Sequence, residues 1–175
     1  MWAWVPVMLL VSYRAAGYSD TAAGLAAFGV FAAGGAGSFL AGIWADKIGR
    51  TRITSIALGV SGTCCLIAGL FLNQPILLTM VCLIWGVAVI ADSAQFSAAV
   101  SELADSRYVG TALQVQTSLG FLLTLVTLQL TPILIDKVGF EWVFLLLIPG
   151  PIVGIVSMLK LRNDPRSSQM ASGNR

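Results

Sequence analysis

The sequence predicts an all-α integral membrane protein: six transmembrane helices in two inverted three-helix repeats. Three observations carry that prediction. Long apolar runs dominate the chain, with 57% hydrophobic residues, 10% charged residues and a mean hydropathy of +0.88 over 175 residues. A soluble domain carries about 25% charged residues. The charges and turn-forming residues are gathered into short interruptions between the runs. One interruption, Ala45-Asp46-Lys47-Ile48-Gly49, returns as Ile135-Asp136-Lys137-Val138-Gly139.

The first run, Trp2–Tyr13, is short: at about 1.5 Å per residue it spans roughly 20 Å, against a hydrocarbon core of about 30 Å. This suggests that the natural helix begins upstream of Met1. The second run, Ala22–Trp44, follows the break at Gly17–Asp20 and carries two ridges of small residues, Ala33-Gly37-Ala41 and Gly34-Ser38-Gly42, suited to close helix packing. The third, Ile53–Leu72, lies between the charged segment and Asn73-Gln74-Pro75. Ile76–Val100 makes the fourth, closed by the polar stretch around Asp105–Arg107. Thr111–Ile135 makes the fifth, closed by Asp136–Glu141. The sixth, Trp142–Leu161, holds Pro149-Gly150-Pro151, which predicts a kink. Residues 1–161 therefore form one bundle, split into triplets at 1–72 and 76–161, and residues 162–175 form a tail expected to be disordered.

Basic residues fix the orientation. With the Asp46 segment inside, Lys47, Arg50, Arg52, Arg107, Lys160, Arg162, Arg166 and Arg175 are cytoplasmic, and only Arg14 and Lys137 lie outside. The reverse would break the positive-inside rule. Both termini are then cytoplasmic, as expected for a multi-pass protein of the cell (inner or plasma) membrane. The two copies of the Asp-Lys-x-Gly string close the second helix of each triplet from opposite sides, as an inverted repeat requires; the alternative is chance recurrence of a five-residue string.

Composition also excludes chemistry. The chain has no histidine, which removes imidazole triads and His-ligated metals. Cys64, Cys65 and Cys82 lie within apolar runs at no metal-ligand spacing and read as buried apolar side chains. No phosphate loop, nucleophile elbow or HExxH is present. The expectation is a protein that is not an enzyme, with no cofactor, no metal and no nucleic-acid partner.

The segment Gly42-Ile43-Trp44-Ala45-Asp46-Lys47-Ile48-Gly49-Arg50-Thr51-Arg52 resembles the loop motif G-x-x-x-D-[RK]-x-G-[RK]-[RK] of the major facilitator superfamily. Gly42, Asp46, Lys47, Gly49 and Arg50 match; Thr51 stands where the motif has a base, with Arg52 one place late. The resemblance covers essentially the whole chain and is to the C-terminal six-helix half of a twelve-helix permease. It implies a secondary transporter that moves a small solute by alternating access. The implied partners are membrane lipid, the small-molecule substrate, a proton or other coupling ion, and a missing N-terminal half or a second copy. The alternatives are a truncated, non-transporting membrane fragment, or a half-transporter that pairs with another six-helix unit.

Two groups of site residues follow. Asp46 sits at the negative end of its own helix dipole and needs a cationic partner. Arg107, together with the N-terminus of the fifth helix, offers one, and Glu102 is expected to pair with Arg50. Gly42, Asp46, Lys47, Gly49, Arg50, Glu102 and Arg107 thus form an expected conformational-switch loop that clamps the second helix to the fifth. Along the pathway, Asp92 is a carboxylate inside a span, where a charge costs about 2.5–3.5 kcal/mol unless it faces a cavity or a partner. Trp85, Asp92, Gln95, Ala99 and Glu102 share one helical face. The fifth run is unusually polar, with Gln114, Gln116, Thr117 and Thr124 as pathway candidates; any single Thr there can equally bond to its own backbone.

Overall fold

The computed structural model describes residues 1–174, which form six α-helices in series: α1 (Trp4–Ala15), α2 (Asp20–Ile48), α3 (Arg50–Ile67), α4 (Pro75–Leu103), α5 (Val109–Val138) and α6 (Pro149–Asn163). Short 3₁₀ segments follow α3 (Ala68–Phe71), precede α6 (Val143–Leu147) and end the chain (Pro165–Gly173). Five segments are long and apolar enough to cross a membrane; α1, at 12 residues, is not. The connections are short, so successive helices run up and down the bundle. One end carries Gly49, Asp105 and the chain's last residues, and the other carries Gly17, Asn73 and Gly139.

Local chemistry sets the boundaries. Ser19 caps α2 by accepting the Ala22 N–H (3.3 Å), and Arg14 closes the α1–α2 turn with two bonds to Asp20 (2.7 and 2.6 Å). Pro75 and Pro149 stand in the first turns of α4 and α6, where a missing N–H costs nothing. The single sixth helix expected from the sequence is therefore divided. Val143–Leu147 is wound as 3₁₀, and the α-helix starts only at Pro149. The third span likewise tightens to 3₁₀ at Ala68–Phe71, where Gly69 lies so close to the backbone carbonyl of Glu141 that no Cβ would fit.

Helix α4 is the central element, packed chiefly against α2 and α3, and α3 in turn packs on α6. The α2–α4 contact is backbone-close. A Cβ on Gly34 would stand 2.8 Å from the Gly86 carbonyl oxygen, and one on Gly86 2.7 Å from that of Val30. The buried ridge of α2 is Val30, Gly34, Gly37, Ala41 and Ala45. It takes one member or more from each ridge read in the sequence and leaves Ser38 and Gly42 only half-buried. The core toward the Gly17 end gathers Met8, Leu9, Leu78, Cys82, Trp85 and Phe144; a smaller cluster of Ala41, Ala45, Ile53, Ala57 and Ala91 lies toward the Gly49 end. Helix α5 meets this core through half-buried Leu134 and Ile135, and Thr131 is its one buried residue.

Candidate functional site

The link between α2 and α3 is a single residue. Asp46, Lys47 and Ile48 complete α2, the Gly49 N–H bonds the Ala45 carbonyl (3.0 Å), and the chain turns at Gly49 with φ +115°, a conformation that favours glycine. Helix α3 then begins at Arg50. Gly139 ends α5 in the same way, with φ +80° and its N–H on the Ile135 carbonyl (2.9 Å). The two related strings thus each close a long helix on a positive-φ glycine whose N–H bonds back four residues.

So abrupt a turn sends the Arg50 side chain into the bundle, where it is only 8% exposed. Its guanidinium is a hub. Nε donates to Glu102 Oε2 (2.9 Å), Nη2 to Glu102 Oε1 (2.7 Å) and to Asp46 Oδ1 (3.0 Å), and Nη1 to Gln95 Oε1 (2.6 Å). The pair with Glu102 is bidentate, the geometry that suits arginine and that lysine cannot reproduce. The last residues complete the cluster. The Ala171 N–H donates to Glu102 Oε2 (3.3 Å) and Asn174 Nδ2 to the Asp46 carbonyl (2.7 Å), while Met170 and Ser167 are fully buried. The tail expected to be disordered is thus folded over this end as 3₁₀ turns between residues 165 and 173, capped by Asp164. Thr51 is 2% exposed, so this chain places a small side chain at the enclosed position and carries the motif's second base on exposed Arg52.

The structure joins Asp46, Arg50 and Glu102, and Gly49 makes the turn that joins them. Arg107 stays outside, and the expected Asp46–Arg107 contact does not form. Arg107 is taken by Asp105 two residues earlier, through its backbone N–H (3.0 Å), Nε (3.2 Å) and Nη2 (3.1 Å). That pairing holds the Asp105 carboxyl below the usual carboxylate range and raises Arg107. Asp46 finds its cation one turn along the chain in Arg50 instead. Lys47 is exposed, and Gly42 has open space where a Cβ would go, so packing within these residues gives no reason for glycine there.

The pathway candidates divide. Trp85, Asp92, Gln95 and Ala99 do share one buried face of α4, with Glu102 half-buried at its end. That face packs inside the bundle. Trp85 is a core residue, 1% exposed, donating its indole N–H to Ser61 Oγ (3.1 Å) and meeting Phe144 edge-on at 5.2 Å. Gln95 is held by Arg50 and belongs to the hub. The sequence could not separate these readings because helical spacing fixes which residues share a face and leaves open what the face meets. Asp92 is 8% exposed, accepts a hydrogen bond from Ser93 Oγ (3.1 Å) and has no cation within salt-bridge distance among the described residues.

A cleft of about 470 Å³ lies between the start of α1, α4, α5 and the Val143–Leu147 turn. Ser93, Thr124, Thr127 and Thr131 supply its hydroxyls, and Trp4, Phe121 and Phe144 much of its apolar wall. Thr124 is the sequence candidate that reaches it; its hydroxyl bonds the Gly120 carbonyl (2.9 Å), and Thr127 and Thr131 back-bond likewise. Gln116 instead spans to α4 through Ser97 Oγ (3.4 Å); Gln114 and Thr117 are exposed on α5. Ser93 was the residue missed. It joins the cleft to Asp92, and nothing in its spacing marked it apart from its neighbour.

A helical bundle with five membrane-length segments and an Asp-Lys-x-Gly-Arg junction is the architecture of a multi-pass membrane protein. The Major Facilitator Superfamily profile matches residues 1–174, and the chain belongs to that family of membrane transporters. No curated protein and no solved structure matches it.

Proposed function

We propose that the chain acts as one six-helix half of a permease that moves a small solute across the cell membrane by alternating access, opposite a second six-helix unit. The observation that carries this reading is the Arg50 hub. Two bundles can rock about a shared site only if each moves as a body, and one buried guanidinium ties the α2–α3 junction to α4 and, through Glu102 and Asp46, to the tail. At this end α2, α3, α4 and the tail then move together. In this reading the Gly49 end faces the cytoplasm, as do both termini, and the two triplets form an inverted pair. The cleft beside α5 takes the solute's polar groups through Ser93 and Thr124, and Asp92, one residue from the cleft, is the candidate for a coupling proton or cation.

The test is accessibility in a background lacking the native cysteines. Position 51 is enclosed, so the inner probe belongs at Arg52. A cysteine at Asn73 is expected to react with an impermeant maleimide from outside and one at Arg52 only from inside. A cysteine at Gln116 should become more reactive from the inner side when Arg50 is changed to methionine. Labelling of Arg52→Cys from outside would overturn the orientation; unchanged reactivity at Gln116 would remove the hub from the conformational cycle.

A further inference from the structure

The Gly49 end holds a second site, apart from the hub. Lys47 at the end of α2, Arg52 in the first turn of α3, Arg162 and Asn163 at the end of α6, and Gly173 and Asn174 of the tail line one polar pocket of about 590 Å³. Among the described residues, the side-chain carboxylates near this end are engaged elsewhere: Asp46 and Glu102 with Arg50, Asp105 with Arg107, Asp164 with Arg166. Among the described residues no side-chain carboxylate lies within ion-pair distance of Lys47, Arg52 or Arg162, so three cations share one pocket with no acidic side chain of residues 1–174 paired to them. The helix ends do not cancel them. Two C-termini and one N-terminus meet here, at about half a charge each, leaving roughly half a negative charge against three positive ones.

Construction supports a site over a loose basic fringe. The Ser167 hydroxyl, fully buried, donates to the Arg162 carbonyl (3.2 Å), and Asn174 is tied to the Asp46 carbonyl, so tail and helix ends are fixed to each other around the cavity. Both helices end at the boundary of their apolar runs, which puts the pocket at headgroup depth in a bilayer. We infer that it binds a phosphate-bearing anion: arginine forks and a lysine match phosphate oxygens, and Asn163 and Asn174 add neutral polar groups. The inference rests on the bilayer reading and is independent of alternating access.

The phosphate can come from an anionic lipid or from a soluble phosphate, and one experiment separates the sources. The full chain, purified and delipidated, is titrated with phosphatidylglycerol or phosphatidylcholine in mixed micelles, followed by native mass spectrometry of bound lipid. Phosphatidylglycerol is expected to bind the unmodified chain at least fivefold more tightly than phosphatidylcholine. Lys47→Gln/Arg52→Gln/Arg162→Gln should abolish that preference. Arg52→Lys/Arg162→Lys should keep much of it, and Arg107→Gln/Arg166→Gln, two charges removed at the same end outside the pocket, should keep it in full. Displacement of the lipid by millimolar inorganic phosphate would assign the site to soluble anions as well; no displacement, with the triple variant defective, would assign it to lipid alone. Equal binding by the triple variant, or an equal loss in the Arg107/Arg166 control, would overturn the site. Helicity by circular dichroism checks that the triple variant is folded; if it is not, the single change Arg162→Gln carries the comparison.

Discussion

Replacing Arg50 with methionine keeps an apolar stem of similar length and removes every contact of the hub. Glu102, 28% exposed, and Gln95, 2% exposed, would lose their guanidinium, while Asp46, 65% exposed, would turn to water. Removing one partner of a buried pair costs about 3–5 kcal/mol because the other charge is left uncompensated. Partial access of Glu102 to water puts the expected loss near the bottom of that range, about 3 kcal/mol. The Asp46 arm, an exposed pair one helical turn apart, is worth less than about 1 kcal/mol. Arg50→Lys keeps the charge and loses the fork, and should cost about 1–2 kcal/mol.

The assay is unfolding of the purified chain in mixed micelles titrated with a denaturing detergent, run as two double-mutant cycles. Arg50→Met with Glu102→Met should show a coupling of about 2 kcal/mol, and Arg50→Met with Asp46→Asn less than about 0.5 kcal/mol. An Asp46 coupling as large as that of Glu102 would refute the ranking by burial. So would an Arg50→Lys variant as stable as the original, since the argument depends on the two parallel bonds to one carboxylate.

Gly86→Ala should destabilise the chain by about 1–3 kcal/mol by overpacking against the Val30 backbone, whereas Gly59→Ala, with open space beside it, should be close to neutral in the same titration. Arg107→Ala should leave stability within about 0.5 kcal/mol of the original, because its partner Asp105 is local and exposed; a larger loss would return Arg107 to the switch. Once a transported solute is in hand, Asp92→Asn should lower uptake and flatten its pH dependence with folding intact. Uptake unchanged across pH would leave Asp92 structural.

Much of this was legible in the residues. Apolar runs and their interruptions placed all six helices, because a span must satisfy its backbone internally and helix is the available solution for such runs. Gly49 and Asp46 marked the junction, and the Arg50–Glu102 pair followed from their charges and shared end. Two features were not legible. Asp46 was assigned the distant Arg107 because the segment read as a loop. With only Gly49 outside the helices, Arg50 is delivered inward and Asp46 outward, and that direction depends on one φ angle that no spacing encodes. The tail looked polar and unpatterned, yet Met170 and Ser167 bury and its last amides find Glu102 and Asp46. It orders by capping charges already in place, a tertiary effect absent from the local sequence.

Helix α5 supplies the remaining step. Exposed apolar side chains mean little in a membrane, where lipid tails are as apolar as leucine; Phe121, Leu122, Leu125 and Val126 ask for nothing. Its exposed amides and hydroxyls do. Gln129 has no hydrogen-bond partner among the described residues, and Gln114 reaches only Ser118 at 3.5 Å. Each unpaired amide facing hydrocarbon costs several kcal/mol, enough to outweigh the loose packing of α5 on α4. The side of α5 that carries these amides, with Phe121 and Leu125 among them, is therefore expected to meet water or a second six-helix unit. A cysteine at Gln129 should react with an impermeant maleimide in bilayers, or crosslink to a co-expressed partner bundle. Failure of both, with Gln129→Leu stabilising the chain, would mean that this face lies in lipid and that no companion bundle covers it.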